Sequence, residues 1–158
     1  MNLFINAQRR RFDAQPVIFM RRTGPYGSEN YALMQKFKAW LAENNLLDDE
    51  TVILACALDD PTVTPPERCR YDVCAVINGE IPPCAAKNSD ISTQTISGGE
   101  YLVFTLPHTA EAATAAWQES FSQLATLGLN FDGSRPVLER YLKKQVDSGF
   151  FEFCLPIR

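Results

Sequence analysis

The sequence has a single histidine, His108, and none of its five cysteines forms a C-x-x-C pair. Structural zinc sites need four cysteine or histidine ligands, usually with such close pairs, so we expect no metal site. A G-x-S-x-G nucleophile elbow and a glycine-rich phosphate loop are also missing. An enzyme with a nucleophile–histidine pair would have to use His108. The sequence therefore implies no cofactor and disfavours these enzyme classes.

Long apolar runs are also missing from the sequence, and the short ones that are present could not span a bilayer. Residues 1–4 lack the basic and apolar regions of a signal peptide. We therefore expect a cytoplasmic protein without membrane contact. In that reducing compartment, Cys56, Cys74 and Cys154 are expected to be small buried hydrophobic residues.

Basic residues are few: 15 lysines and arginines stand against 19 acidic residues, a net charge of −4. The one basic cluster consists of Arg9, Arg10, Arg11, Arg21 and Arg22. Its members lie beside apolar residues, which a solvated strand edge explains better than a nucleic-acid surface. An acidic chain repels phosphate backbones, so we predict no direct nucleic-acid binding. Small cations suit this charge better.

Two segments have the apolar periodicity of amphipathic helices. The first runs from about residue 28 to residue 44, with Ser28 as its N-cap, and the second from about residue 110 to residue 126, with Thr109 as its N-cap. Gly128 is placed to end the second helix. The predicted apolar stripes are Leu33, Phe37, Trp40 and Leu41 in the first helix, and Ala113, Trp117, Phe121 and Leu124 in the second.

The remaining apolar segments predict six strands. These are Val17 to Arg21, Thr51 to Leu58, Tyr71 to Ile77, Tyr101 to Leu106, Val137 to Leu142 and Phe150 to Leu155. The order strand–helix–strand–strand thus occurs twice, and Trp40 and Trp117 are expected at comparable places on the two helices. We predict one α+β domain over residues 1–158, with pseudo-repeats at about 1–80 and 90–158. The duplicated β-α-β-β units would form one antiparallel sheet with two helices on one face and a central cleft between them.

Several short segments resemble the GyrI-like, or AraC-type, effector-binding domains, which are the ligand-binding parts of multidrug-sensing transcription regulators. The resemblance runs from about Val17 to Ile157 and extends to stand-alone members, such as cation-binding modules of integron cassettes. It is carried by Gly24-Pro25-Tyr26, Asp60-Pro61 with Thr64-Pro65, Arg70-Tyr71-Asp72, Gly98-Gly99-Glu100-Tyr101 and Leu138-Glu139-Arg140-Tyr141.

The resemblance implies the same duplicated fold and a site for cationic compounds. In the family's multidrug-binding members a glutamate of an E-x-Y segment contacts the ligand's positive charge, and that position is Glu139 here, with Tyr141 beside it. Tyr31 and Tyr71 fall near the family's pocket aromatics. Ala112-Ala113 stands where some relatives carry an aromatic residue, which implies a wider pocket. We expect no helix-turn-helix segment before this domain, so transcriptional control would need a regulator or another protein partner.

The residues around Glu139 leave two orientations open. Val137, Glu139 and Tyr141 would share one face of a strand, and Leu138 and its neighbours the other. The apolar pattern does not decide which face points inward, whereas the resemblance favours an inward Glu139. An inward carboxylate would need compensation, which a hydrogen bond and an incoming cation could supply.

Four further side chains are candidates for the cleft. Trp40 and Trp117 could be core residues or ligand platforms, because both helices border the predicted cleft. Phe104 could be core or pocket, and His108 could be a loop histidine or a rim residue.

Binding of an aromatic, cationic small molecule is the function predicted from these residues, with Glu139 as countercharge and Tyr141, Tyr31, Tyr71, Trp40 and Trp117 as walls. Two alternatives remain at this point. One is a ring-opening hydrolase of the GyrI-like type that uses Glu139 and Tyr141. The other is a protein-interaction module of the gyrase-inhibitor type, which would show an exposed apolar patch outside the cleft.

Overall fold

The computed structural model describes residues 6–158, which form eight β-strands and four α-helices. The residues 1–4 considered for a signal peptide lie outside this range. In chain order the elements are β1 (Asn6–Phe12), β2 (Gln15–Thr23), α1 (Ser28–Glu43), β3 (Val52–Ala57), β4 (Arg70–Val76), α2 (Pro83–Ala86), β5 (Ser92–Ile96), β6 (Gly99–Pro107), α3 (Ala110–Thr126), β7 (Leu138–Leu142), α4 (Lys143–Asp147) and β8 (Phe150–Ile157). None of the helices in this part of the chain is long and apolar enough to cross a membrane.

All eight strands lie in one antiparallel sheet with the order β1-β6-β8-β7-β3-β4-β2-β5. The order is symmetric about the central β3–β7 pair. Each half of the chain is a β-β-α-β-β unit, with the short helix α4 inserted between β7 and β8 in the second half. The first strand of each unit pairs with the other unit, since β1 pairs with β6 and β5 pairs with β2. The predicted α+β fold with duplicated units is thus confirmed.

Strands β1 and β5 are missing from the sequence prediction, because both are polar and lie at the edges of the sheet. Edge strands bury little side-chain surface and often carry charge that blocks further pairing. In β1 these charges are Arg9, Arg10 and Arg11, and Arg9 pairs with Glu100 of the neighbouring strand. The structure therefore places Arg9, Arg10 and Arg11 on an edge strand, as expected for this part of the arginine cluster.

The sheet is strongly curled. Only two residues join β1 to β2, and three Cα steps span at most about 11 Å. The two strands lie six positions apart in the sheet, which would separate them by about 29 Å if the sheet were flat. Gly98 packs against this linker so closely that a Cβ there would lie 2.8 Å from the Phe12 carbonyl oxygen. The inside of the curl is a core of its own, built from residues of seven strands that include Leu54, Cys56, Cys74, Tyr101, Leu138 and Cys154.

The outer face of the sheet is covered by the two long helices. In α1 the buried residues are Met34, Phe37 and Leu41, close to the predicted stripe. The predicted N-cap at Ser28 is wrong, because α1 begins at Ser28 and its N-cap is Gly27, which has no side-chain hydrogen bond.

Helix α3 begins and ends where the sequence predicts. The Thr109 hydroxyl accepts a hydrogen bond from the Ala112 amide at 3.1 Å. Gly128 has a φ of 70° and ends the helix in a Schellman turn, in which the Leu129 amide donates to the Leu124 carbonyl at 2.8 Å.

The apolar stripe of α3 was predicted one position out of register. The residues buried against the sheet are Ala112, Ala116, Ser120 and Leu124 rather than Ala113, Trp117 and Phe121. Small side chains let the helix approach the sheet closely, and the aromatic side chains one residue further turn toward the space between the helices. Trp40 and Trp117 are also not equivalent, because Trp40 lies near the end of α1 and Trp117 near the middle of α3.

Two carboxylates are fully buried on the curled inner face, and both are paired with arginines. Asp72 accepts two hydrogen bonds from Arg21 at 2.7 and 2.8 Å. Glu152 accepts from Arg140 at 2.6 Å and from Arg10 at 2.8 Å. A buried charge is costly unless it is compensated in this way. These groups therefore join strands across the sheet and serve structure.

Candidate ligand-binding site

A cavity of about 700 Å³ lies on the helix side of the sheet, between the start of α1 and the middle of α3. Its volume is that of a site for a drug-sized molecule. The lining residues are Tyr26, Asn30, Ala57, Leu58, Asp59, Asp60, Pro61, Tyr71, Trp117, Phe121, Phe131, Gly133, Arg135, Pro136, Val137 and Glu139.

Strand β3 sets the depth of the cavity floor. In the register of the sheet, Ala57 lies opposite Tyr71 of β4, and Ala55 lies opposite Glu139 of β7. Opposed side chains in such pairs are neighbours on one face of the sheet. Two alanines thus lie between Tyr71 and Glu139, and their short side chains leave room above the floor.

Glu139 is half-buried on this floor and accepts two hydrogen bonds from aromatic residues. The Trp117 Nε1–H donates to Oε1 at 2.9 Å, and the Tyr141 hydroxyl donates to Oε2 at 2.6 Å. These donors hold the carboxylate in one orientation. Between residues 6 and 158, no arginine, lysine or histidine forms an ion pair with it. Glu139 differs in this from Asp72 and Glu152, whose charges the protein itself compensates.

The two tyrosines near Glu139 stay protonated at neutral pH. Burial and the negative charge of Glu139 raise the pKa of Tyr141 well above its ordinary value, and its hydrogen bond to Glu139 adds to this. The same two causes, burial first, raise the pKa of Tyr71. Tyr141 is therefore a permanent hydrogen-bond donor to the carboxylate over the physiological pH range.

One cationic residue, Arg135, does line the cavity, but its guanidinium group is already paired with Asp132. Arg135 donates through Nε to Asp132 at 3.0 Å, and through Nη2 to the carbonyl oxygens of Ile157 and Glu100 at 2.7 and 3.0 Å. Its guanidinium carbon lies 4.8 Å from the centre of the Tyr101 ring. Arg135 thus fixes the loop before β7 to the end of β8.

Aromatic rings form the walls of the cavity. The Trp117 and Phe121 rings lie 6.3 Å apart, and the Phe121 and Phe131 rings meet edge to face at 5.4 Å. On the other side Tyr26 packs edge to face on Tyr71, with ring centres 6.5 Å apart. The Tyr26 hydroxyl is held by donating to the Arg70 carbonyl at 2.8 Å and accepting from the Asp59 amide at 3.1 Å.

The structure brings together some of the predicted site residues. Glu139, Tyr71 and Trp117 line the cavity. Tyr141 does not line it, but reaches it through the hydrogen bond to Glu139 while its ring stacks on Phe151 at 5.5 Å.

The other four predicted residues do not line this cavity. Tyr31 is 70% exposed on the outer side of α1. Trp40 stacks on Phe37 at 6.3 Å and packs against the core under α1. Phe104 is buried in the core under α3, where the strand alternation points it at the helix. His108 packs against Tyr141, with ring centres 5.5 Å apart.

Sequence reasoning missed Tyr26, Phe121 and Phe131 as site residues. Tyr26 belongs to the segment Gly24-Pro25-Tyr26, which resembles the family, and Phe121 follows Trp117 by one helical turn. The sequence therefore pointed to both residues. Phe131 lies in an irregular segment and is placed by its bridge to Ile157 of β8, a contact between parts of the chain that no local pattern shows.

The fold and the aromatic cavity are those of an effector-binding domain. Residues 9–158 match the model of the GyrI-like small molecule binding domain, and the chain belongs to this family. It is 35% identical over 143 residues to YosT, a protein of the SPbeta prophage of Bacillus subtilis strain 168 that is named as a transcriptional regulator, covering 90% of this chain and 92% of YosT.

Three solved structures have the same fold at low sequence identity. The EcmrR C-terminal domain superposes with a TM-score of 0.71 at 13% identity, covering 97% of each chain. An integron cassette protein from the mobile metagenome of Vibrio cholerae gives 0.66 at 16% identity, covering 98% of this chain and 97% of the other. SAV2435, solved with bound tetraphenylphosphonium, gives 0.59 at 12% identity, covering 98% of this chain and 94% of the other.

Proposed function

We propose that this protein reversibly binds organic cations with aromatic or other apolar groups, and that Glu139 supplies the countercharge. One observation carries the proposal: the Glu139 carboxylate lines an aromatic cavity and has no cationic partner in the described chain. The cavity offers apolar surface for the body of such a ligand and the half-buried Glu139 carboxylate for its cationic centre. Of the two other carboxylates in the lining, Asp59 is paired with Arg70 and Asp60 is exposed to water.

The energetics favour a positively charged ligand. Trp117 and Tyr141 each donate one hydrogen bond to Glu139, and these bonds compensate only part of its charge. A cation in the cavity would complete the compensation, and each good cation–π contact adds about 0.5–2 kcal/mol. Aromatic walls and a carboxylate on the floor select for charge and apolar surface rather than exact shape, so a broad ligand range is expected.

The relatives are consistent with this role. YosT is named as a transcriptional regulator, and SAV2435 binds tetraphenylphosphonium, a cation with four phenyl groups. By extension to this chain, binding would serve either sequestration of a compound or its sensing together with a regulator protein.

Isothermal titration with N-methylquinolinium and 1-methylnaphthalene tests the proposal, because the two are alike in shape and differ in charge. We expect the parent protein to bind the cation at least tenfold more tightly. Glu139→Gln should reduce this preference to less than about threefold, because it removes the carboxylate charge that attracts the cation. Glu119→Gln, which removes an exposed charge from the same helix as Trp117, is the matched control and should bind like the parent.

Equal affinity for cation and neutral compound, or an unchanged preference in Glu139→Gln, would contradict the proposal. The hydrolase alternative predicts a different result. A strained-ring substrate would be converted to product by the parent, and Glu139→Gln would abolish turnover while substrate affinity remained.

A further inference from the structure

A second hollow of about 400 Å³ lies at the C-terminal end of α3. Its lining includes Leu124, Ala125 and Leu129, and none of its lining residues is charged. Asn130 is the one polar side chain in this lining, and a hollow lined mainly by apolar side chains can hold hydrocarbon.

The hollow has a rigid frame. Its helix ends in the Schellman turn at Gly128, and Leu129 is fixed by the hydrogen bond from its amide to the Leu124 carbonyl. On its other side, the Asp132 amide donates to the Pro156 carbonyl at 2.9 Å and the Arg158 amide donates to the Asn130 carbonyl at 3.0 Å. The segment that follows α3 is thus attached to both the helix and β8.

The hollow adjoins the cavity at Glu139. Phe121 and Phe131 line both spaces and meet edge to face, so this ring pair forms part of the wall between them. Phe121 is also next to Trp117, whose indole N–H bonds Glu139. A row of three aromatic side chains therefore leads from the carboxylate to the second hollow. Phe131 and Trp117 are 38% and 37% exposed, so this row presents apolar surface that a ligand could cover.

We infer that the second hollow is a subsite for the apolar end of an elongated, amphiphilic cation whose charged group lies at Glu139. The inference rests on the proposed function and names its ligand class more closely. Compact cations would fill the cavity at Glu139 alone, whereas long ones would pass the Phe121–Phe131 pair and bury hydrocarbon at the end of α3.

Butyl-, octyl- and dodecyltrimethylammonium ions below their micelle concentrations are the probes, with affinity measured by isothermal titration. The parent's affinity should rise with chain length by about fourfold for each methylene that becomes buried. Ala125→Phe should fill the hollow, because a long side chain on a helix points toward the preceding turn, here toward Phe121. We expect this variant to bind the butyl ion within twofold of the parent, and the dodecyl ion at least tenfold more weakly.

Two further variants make the result specific. Ala125→Leu adds less volume and should give an intermediate loss for the dodecyl ion. Gln118→Phe places the same ring on an exposed position of α3 outside both spaces and should bind all three ions like the parent.

Parent-like dodecyl affinity in Ala125→Phe, or an equal loss in Gln118→Phe, would overturn the subsite. If butyl binding persists and still depends on Glu139 in either case, the proposed function stands and only the second hollow is excluded. If no ion binds, or Glu139→Gln binds the butyl ion like the parent, the proposed function fails and the subsite fails with it.

Discussion

Two glutamates of this protein should respond in opposite ways to loss of their charge. Glu152 is 3% exposed and compensated by Arg140 and Arg10, and it also accepts a hydrogen bond from Gln145 at 3.1 Å. Glu139 has hydrogen-bond donors but forms no ion pair with any residue between 6 and 158. Replacing each by glutamine keeps its size and removes its charge. The comparison therefore separates a charge that holds the fold together from one that is available to a ligand.

The expected magnitudes follow from burial. Breaking a buried ion pair costs about 3–5 kcal/mol, because an uncompensated charge is left behind. Arg140 is well buried, but the Arg10 side chain is 34% exposed and can regain water, so we expect about 3 kcal/mol for Glu152→Gln. For a domain of this size each kcal/mol lowers Tm by about 2–4 °C, which gives about 6–12 °C. Glu139→Gln breaks no ion pair and should change the unfolding free energy by less than about 1 kcal/mol.

The pH dependence gives a second, independent check. Burial alone would raise the pKa of Glu152, but the hydrogen bond from Gln145 and the charges of Arg140 and Arg10 outweigh it, and the pKa lies below its ordinary 4.5. A carboxylate with a lowered pKa stabilises the fold fully above its unfolded pKa, and this stability is lost as pH falls through the folded value. The Tm difference between parent and Glu152→Gln should therefore be constant near pH 7 and shrink below pH 4.5.

Circular dichroism melts and urea unfolding of parent, Glu152→Gln and Glu139→Gln at pH 7 and pH 3 provide the measurement. Glu100→Gln, which removes the charge of an exposed pair with Arg9, is the control and should melt like the parent. A Glu152→Gln variant that melts within 2 °C of the parent at pH 7 would refute the argument. So would a Glu139→Gln variant that loses as much stability as Glu152→Gln.

Two further substitutions test the cavity floor and the start of α3. Ala57→Phe should weaken tetraphenylphosphonium binding at least tenfold in isothermal titration without unfolding the protein, because Ala57 lines the cavity. Ala86→Phe lies outside the cavity and should bind the ion like the parent. Parent-like binding by Ala57→Phe would contradict the assignment of Ala57 to the cavity floor. Thr109→Ala should lower the unfolding free energy by about 1 kcal/mol in urea, because it removes the N-cap hydrogen bond to the Ala112 amide, whereas Thr109→Asn should retain most of the stability. If the alanine and asparagine variants were equally stable, the cap would contribute nothing.

Most of the fold was predictable because its central elements carry strong local patterns. The bounds of α3 follow from the cap at Thr109 and from Gly128, which the chain needs at its left-handed turn. The edge strands β1 and β5 were not predictable from periodicity, since polar residues such as Arg9 and Thr95 have no apolar face to reveal. Strand β1 pairs with β6 of the second half, and β5 pairs with β2 of the first half. This exchange between the halves is a property of the tertiary structure.

The orientation of Glu139 was open for a physical reason. Both faces of this sheet are covered, one by helices and the other by the curl of the sheet itself. Leu138 therefore points into the curled core while Val137 and Tyr141 pack on the helix side, and alternation gives apolar residues on both faces. Only the tertiary structure shows that Glu139 points at the cavity, and the choice of Trp117 over Trp40 likewise depends on how the helices lie on the sheet.

The central claim is that Glu139 receives the positive charge of a ligand. A crystal structure of the protein with tetraphenylphosphonium tests it most directly. We predict the phosphonium centre within about 6 Å of the Trp117 ring and on the side of the Glu139 carboxylate, with phenyl groups against the aromatic walls. A phosphonium ion bound away from Glu139, or a cavity that stays empty at saturating ligand, would contradict the account.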